Sequence, residues 1–387
     1  MSTIKQSQLK PSDLSTAEKN RRLQNVVYII AAVFLLYMFL VAVKAMGQSF
    51  KLFGSGFEET LIRETSNPFI GLFVGVLATS IVQSSSTTTA MVVAFVASGT
   101  LTVEIAVPII MGANVGTTIT GILVAFVHVT RKDEFERAFA AATVQEFFKV
   151  LTVLVLLPLE LMTGFLRHCS VMITEMFTGS SGGFAFRGPL GFIVDPVANR
   201  LEQLCCLLKH PYHGVVLLIV SVMALAFALY MLTRIMKTVT MSGAEKGLHT
   251  ALNSSPMIGL LLGMVITAII QSSSVTTSLM VPMAAAGLLT VEQVFPVALG
   301  ANVGTTITAL LASLAGNAAG LTIAIVHTLF NVFGILLFYA IPYTRKLPLF
   351  LANYMGAVAK KSPLSAVLFV VLPFFVVPGL LIFLWNL

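Results

Sequence analysis

Charge is what this chain has least of. Asp, Glu, Lys and Arg make up 10% of its 387 residues, against roughly 25% in ordinary soluble domains. So few ionised side chains cannot cover a water-facing surface, so most of the exterior must face lipid. Cysteine is scarce too: Cys169, Cys205 and Cys206 are the only three, too few for a disulfide framework and not spaced as metal ligands. They read as ordinary thiols, or as one bridge from Cys169 to Cys205 or Cys206 if their loop lies outside the cytoplasm. Neither HExxH nor a phosphate-cradling GxxxxGK[ST] occurs, so a metalloprotease or an ATP-driven pump is unsupported. The chain reads as no enzyme, with no cofactor. Its net charge of +7 comes from Lys and Arg in short loops rather than from a basic patch interleaved with aromatics, so nucleic acid is not an expected partner. Membrane lipids are.

What the chain does have is long apolar runs. Hydrophobic residues reach 57% and the mean hydropathy is +0.95. Val26–Val43 carries no charge, and similar runs cover Val215–Leu232, Leu321–Ile341 and Leu364–Trp385; each can cross roughly 30 Å of hydrocarbon. The first is not a cleaved leader: a polar tail of more than twenty residues precedes it, Val43-Lys44-Ala45 is a poor cleavage site, and its counterpart described next is internal.

The chain repeats itself. Gln83-Ser84-Ser85-Ser86 returns as Gln271-Ser272-Ser273-Ser274, an offset of 188. Without a gap, that offset carries Gly75 onto Gly263, Thr79 onto Thr267, Leu101–Glu104 onto Leu289–Glu292, and the nine residues Gly112–Thr120 (GANVGTTIT) onto an identical Gly300–Thr308. A duplication of this quality fixes the organisation. The expected segments are a cytoplasmic tail (1–24), a first repeat (25–158), an extracytoplasmic loop (159–212), a second repeat (213–341), and a C-terminal segment with one further span (342–387). The arms beside each QSSS, 68–82 and 84–99 in the first half, are too short to span. Two short arms meeting at a polar tip suggest a re-entrant hairpin, tolerated in a bilayer only where it is buried or lines a cavity. GANVGTT is expected to interrupt the next span with an unwound turn. Its glycines could instead serve close helix packing.

Basic residues orient the spans. With the tail inside and each hairpin returning to the side it came from, fifteen Lys and Arg lie inside, in the tail and around 131–137, 234–246 and 345–361, against six outside (Lys51, Arg63, Arg167, Arg187, Arg200, Lys209). The first half then starts from the cytoplasm and the second from outside. The expected fold class is therefore an all-α integral membrane protein, an inverted-repeat secondary transporter with two re-entrant helical hairpins and broken transmembrane helices.

The QSSS tips have a chemistry of their own. Serines opening the second arm are natural N-caps, and a helix start offers free N–H groups and partial positive charge, suited to an oxyanion. Carbonyls ending the first arm suit a small cation. Hydroxyls and amides can serve either ligand. Glu104 and Glu292 read as first-turn dipole partners, and His128 as an interfacial side chain.

The doubled QSSS, each followed by GANVGTT, resembles the type II sodium–phosphate cotransporter family over roughly residues 26–385. The resemblance implies uptake of inorganic phosphate coupled to Na+ across a bacterial inner membrane, by alternating access. It places phosphate on Gln83, Ser84, Ser85, Ser86, Gln271, Ser272, Ser273 and Ser274. It places sodium among Gln83, Ser85, Thr88, Asn114, Thr117, Thr118, Gln271, Ser273, Thr276, Asn302, Thr305, Thr306 and Asn331. The family's vertebrate members carry a glycosylated loop between the halves, whereas residues 160–212 here hold no Asn-x-Ser/Thr acceptor. A further span common in the family is missing, which would leave this C-terminus periplasmic. In one place the chain departs. Where the family reads H-D-x-F-N in the first half, this chain has Gln145-Glu146-Phe147-Phe148-Lys149, while the second half keeps His327-Thr328-Leu329-Phe330-Asn331. Glu146 and Lys149, three apart on one helix face, are expected to alter coupling, the ammonium standing in for one sodium, or else to form a structural ion pair. Another oxyanion, proton coupling and a passive anion channel remain alternatives.

Overall fold

The computed structural model describes residues 11–53, 63, 65–179, 190–208, 212–252 and 255–385, with backbone alone at 11–22, 25 and 240–252. The first ten tail residues, 54–62 of the polar segment, Arg187 and Lys209 lie outside the described residues. Among the described residues every regular element is helical. The first half comprises α1 (Pro11–Lys51), α2 (Pro68–Val82), α3 (Ser85–Ser98), α4 (Val103–Gly116), α5 (Ile119–Ala125) and α6 (Lys132–Thr163). Next come α7 (Phe165–Thr178) and α8 (Gly191–Cys205). The second half comprises α9 (Tyr212–Leu252), α10 (Pro256–Ile270), α11 (Ser273–Ala285), α12 (Val291–Ser313) and α13 (Ala318–Phe338). The chain ends with α14 (Pro342–Lys361), α15 (Pro363–Val371), a π-turn and α16 (Val377–Trp385).

Among the described residues, seven stretches are long and apolar enough to cross a bilayer: Val26–Lys51, Val103–His128, Lys132–Thr163, Tyr212–Val239, Val291–Ser313, Ala318–Phe338 and Pro363–Trp385. Their outer faces are apolar, as lipid contact requires: Ile29, Ile30, Val33 and Phe34 of α1 are all exposed.

The halves are punctuated alike. Asn67 caps α2 through Phe69 N (2.9 Å) with Pro68 following, and Ser255 caps α10 through Met257 N (3.3 Å) with Pro256 following. Both prolines sit at the first helical position, where no N–H is needed. Thr102 caps α4, and Thr290 closes a capping box with Gln293 on α12.

The glycines of the repeat set one helix crossing twice. A Cβ on Gly75 would lie 2.1 Å from Ile109 O, and on Gly263 2.1 Å from Val297 O. On Gly112 it would lie 1.9 Å from Leu72 O, and on Gly300 1.8 Å from Leu260 O. The backbones of α2 and α4, and of α10 and α12, therefore touch directly, which only glycine permits. The expected unwound turn at GANVGTT is corrected accordingly. In the second half α12 runs unbroken through it. In the first, a mere hitch at Thr117 and Thr118, both still in right-handed helical geometry, separates α4 from α5. The glycines serve contact rather than unwinding.

Residues 159–212, expected as a loop, instead hold two amphipathic helices. Glu160 accepts from Leu166 N (2.6 Å) and Arg167 N (3.3 Å) at the start of α7, and Thr174 meets Thr322 of α13 at 3.0 Å. α8 lies against α1, where Tyr37 donates to Ile193 O (3.1 Å) and Gln48 to Asn199 (2.6 Å). The three cysteines are free thiols.

Helix packing also breaks the likeness of the halves. α1 and α9 pack along each other, yet α1 rests on α3 whereas α9 rests on α10. The corresponding pairs, α9 with α11 and α1 with α2, make no comparable packing among the described residues.

Candidate functional site

Both tips bend in the same way. Gln83 (φ 54°) and Gln271 (φ 61°) are the only non-glycine residues at positive φ among the described residues, a conformation rare outside glycine. Each donates its N–H back to a threonine carbonyl, Gln83 to Thr79 O and Gln271 to Thr267 O, both at 2.7 Å. That bond terminates the incoming arm and lets the next residue start a new helix. Ser84 caps α3, accepting from Thr87 N at 3.2 Å and Thr87 Oγ1 at 2.8 Å. Ser272 occupies the same extended cap position ahead of α11.

The two tips converge on one cavity of about 330 Å³. All eight residues Gln83–Ser86 and Gln271–Ser274 line it. Ser86 Oγ lies 3.5 Å from Gln271 O, bridging the tips. Two helix N-termini thus open onto one space, each with first-turn N–H groups lacking intrahelical acceptors. Such a space is electropositive without holding any cationic side chain, which suits an anion. Thr88 and Thr276 sit just beneath, Thr88 donating to Ser84 O (3.2 Å) and Thr276 paired with Thr267 (2.8 Å).

The cavity also shows residues that sequence reasoning missed. Val82 and Thr87 flank the first tip, and Ala226, Leu229, Tyr230 and Thr233 of α9 complete the lining. The signal available was the pair Tyr230 and Thr233, polar groups one turn apart in an apolar run.

Identical tip sequences sit in different surroundings. Gln271 is buried; its Oε1 accepts from Thr308 Oγ1 at 2.7 Å and its Nε2 donates to Ala268 O. Gln83 is exposed, and its side chain makes no hydrogen bond among the described residues. Thr120, the copy of Thr308, has an enclosed hydroxyl without a partner.

The remaining candidates are buried and do not line the cavity, and hydrogen bonds join Asn114, His327 and Asn331 into one group. Asn114 donates to Ile110 O (2.9 Å), and its Oδ1 accepts from His327 Nε2 and Asn331 Nδ2, both at 3.2 Å. Both lone pairs of that oxygen are used, so Asn114 offers no acceptor to a cation in this arrangement. Asn331 Oδ1 and Asn302 Nδ2 have no protein partner. Thr117, Thr305 and Thr306 bond to carbonyls of their own helices, Ala113 (2.9 Å), Ala301 (2.9 Å) and Val303 (2.7 Å). Thr118 donates to Val115 O (2.8 Å) and meets Glu146 Oε2. Glu146 and Lys149 are 3% and 1% exposed, charges that a membrane interior accepts only with a partner or a task. Lys149 lies within electrostatic reach of both Glu146 and His327.

Apolar spans enclosing a polar cavity at the meeting of two loop tips define an all-α integral membrane transporter. The family model described as Na+/Pi-cotransporter matches residues 38–170 and 224–351. The chain is 32% identical over 469 residues to human "Sodium-dependent phosphate transport protein 2B", covering 97% of this chain and 68% of that protein. It is 32% identical over 421 residues to sheep "Sodium-dependent phosphate transport protein 2A", covering 89% and 66%. No solved structure gives a significant match. The chain belongs to the Na+/Pi-cotransporter family, a family of transporters rather than enzymes.

Proposed function

We propose that this chain is a symporter that imports inorganic phosphate with Na+ across a bacterial inner membrane, binding both between the two QSSS tips and moving them by alternating access. The observation that carries the reading is the single cavity of about 330 Å³ shared by Gln83–Ser86 and Gln271–Ser274. Phosphate takes N–H and hydroxyl donors at the starts of α3 and α11. Sodium takes tip carbonyls and hydroxyls, with Asn331, Asn302, Thr305, Thr306 and the first-half copies Asn114, Thr117 and Thr118 freed for it in another state. The names of the human and sheep relatives support phosphate and sodium as substrates. Charge bias supports a cytoplasmic N-terminus, a periplasmic C-terminus, inverted halves (25–158 and 213–341) and re-entrant hairpins.

Alternating access draws support from the unequal packing of α1 and α9. Exchanging the roles of the halves would move α9 onto α11 and α1 onto α2, closing the Tyr230 side of the cavity and opening the other. A Cβ on Gly47 would lie 3.6 Å from Ser98 Cβ, inside the range for a disulfide. With Cys169, Cys205 and Cys206 replaced by Ser, the pair Gly47→Cys and Ser98→Cys should lock the present state and stop transport until reduced. Full uptake by the oxidised pair would sink the mechanism.

The decisive experiment on function is accumulation of labelled phosphate in proteoliposomes with and without a sodium gradient. Uptake that ignores sodium rejects the symporter. Accumulation driven by a proton gradient alone, or equal competition by sulfate and arsenate, would favour a same-fold transporter of other coupling or substrate; equilibration without accumulation would favour a channel. Lys149 is assigned the place of one coupled cation, so the sodium count per phosphate should fall below that of members reading H-D-x-F-N. An equal ratio by isotope flux rejects that role.

A further inference from the structure

The outgoing arms of the two hairpins end alike, and each leaves one carbonyl to the other half. α3 closes at Gly99 (φ 87°) and α11 at Gly287 (φ 76°), both in the left-handed region. Gly99 N donates to Val96 O (3.1 Å) and Thr100 N to Phe95 O (3.0 Å). At the repeat offset Gly287 N donates to Ala284 O and Leu288 N to Met283 O, both at 2.9 Å. These turns satisfy two of the carbonyls stranded at a helix end. The next carbonyl, Ala97 O or Ala285 O, needs a donor from elsewhere. Asn317, the N-cap of α13, donates Nδ2 to Ala97 O at 2.9 Å, while its Oδ1 accepts from Gly320 N at 3.1 Å. Arg137 of α6 donates Nε and Nη2 to Ala285 O at 3.0 and 2.6 Å.

The donors are crossed between the halves. α13 packs on α3 and α6 packs on α11, whereas neither arm packs comparably on the last span of its own half among the described residues. Elsewhere the halves differ: Gln271 is engaged by Thr308, and α1 rests on α3 while α9 rests on α10. The crossed tie is present in both. If transport exchanges the roles of the halves, what differs between them moves and what is common to both persists. The first tie is also within reach of solutes. A second, larger cavity of about 700 Å³ lies at this end of α3, between α1, α3, α8 and the turn joining α12 to α13, and Ala97 and Asn317 line it.

We propose that Asn317 and Arg137 are positioning residues that fasten each phosphate-binding arm to the last span of the opposite half, so that arm and span travel as one body through the transport cycle. It rests on the alternating-access reading above. α6 carries Glu146 and Lys149, and α13 carries His327 and Asn331. A cation settling against either span therefore shifts the phosphate tip of the other half, a coupling free energy between two sites. Neither Asn317 nor Arg137 lines the tip cavity, so both act through the arms. Arg137 also lies within electrostatic reach of Asp133, and a lost charge has to be separated from a lost tie.

The test uses the full chain in proteoliposomes, with Cys169→Ser, Cys205→Ser and Cys206→Ser as the background for cross-linking. A Cβ on Gly320 would lie 3.2 Å from Ala97 Cβ, close to the roughly 3.5–4.5 Å of a disulfide. Ala97→Cys with Gly320→Cys should form the cross-link, read by mass spectrometry, and still take up phosphate when oxidised. Gly47→Cys with Ser98→Cys should not. A 97–320 cross-link that stops uptake until it is reduced overturns the proposal. Without cross-linking, the fall in KM for phosphate between low and saturating sodium is measured. Asn317→Ser keeps a capping oxygen but loses the amide donor, and Arg137→Met loses both N–H donors. Each should shrink that fall by about fivefold or more, and Arg137→Lys, which keeps the charge and a donor, should restore it. An unchanged sodium dependence in both variants overturns the proposal, whatever happens to yield or melting temperature. A background chain without sodium-dependent uptake would condemn the transport reading instead, while failure of the 97–320 pair to cross-link would still deny the tie.

Discussion

The tetrapeptide QSSS occurs twice, and its two copies differ in engagement rather than in shape. Both glutamines turn through positive φ and both are followed by a serine at the cap position. Yet Gln271 is buried and held by Thr308, while Gln83 stands exposed and Thr120 has lost its partner. The tetrapeptides are identical, but their neighbours are not: Thr87 follows the first and Val275 the second. The difference runs with the packing of the hairpins: α10, which ends at Gln271, packs against α9, whereas α2, which ends at Gln83, makes no comparable contact with α1 among the described residues. The local bend belongs to the motif; the engagement depends on what each tip packs against.

The largest test of this likeness is steric. Gly112→Leu and Gly300→Leu should each prevent folding, a loss beyond about 5 kcal/mol, because the new side chain would meet a backbone carbonyl; yield and thermal unfolding in detergent report it. Should one half tolerate the change, the two crossings are not equivalent. Next comes the buried pair that only the first half has. Glu146→Gln or Lys149→Met alone should destabilise by about 3–5 kcal/mol, with the double change costing less than the sum of the two. Strict additivity in thermal shifts would show that the charges do not interact.

Smaller effects bear on the tips. Ser85→Ala and Ser273→Ala should each remove about 1.5–3 kcal/mol of interaction with a charged ligand, raising the KM for phosphate roughly ten- to a hundredfold. Wild-type kinetics in both would overturn the assigned cavity, and a large effect in one alone would place the ligand on a single tip. The finest comparison is Thr308→Val against Thr120→Val. The first leaves Gln271 Oε1 buried without its donor, at about 1–2 kcal/mol, whereas the second removes an unpaired hydroxyl and should stay within about 0.5 kcal/mol. Equal shifts in melting temperature would show that the two tips are engaged alike in solution.

Much of this was legible in the sequence because duplication multiplies weak signals. One Ser-rich stretch carries little, but two at a constant offset predicted the short arms that became α2, α3, α10 and α11. The spans followed from length and apolarity alone. Other features were not legible, for identifiable reasons. GANVGTT reads as a helix breaker by residue type, because glycine propensity is local, whereas its use as a contact surface depends on a partner helix brought alongside. α7 and α8 were missed because they are amphipathic rather than apolar, and the apolar-run criterion ignores such helices. Tyr230 and Thr233 belong to the cavity only through the packing of α9. Asn114 was expected as a sodium ligand from its place in the motif. That His327 and Asn331 occupy its oxygen is a tertiary fact.

The two cavities also bear on the membrane voltage. One touches α3 through Thr87 and the other begins at Ala94, so about 10 Å of packed helix separates them at 1.5 Å per residue. In the proposed topology the two cavities open to opposite sides, and with water in both the potential would drop across that septum rather than across roughly 30 Å of hydrocarbon. A charge stepping past Ala90 and Val93 would then feel about three times the field strength, and most of the roughly 2.3 kcal/mol per charge per 100 mV would act within a few turns of one short helix.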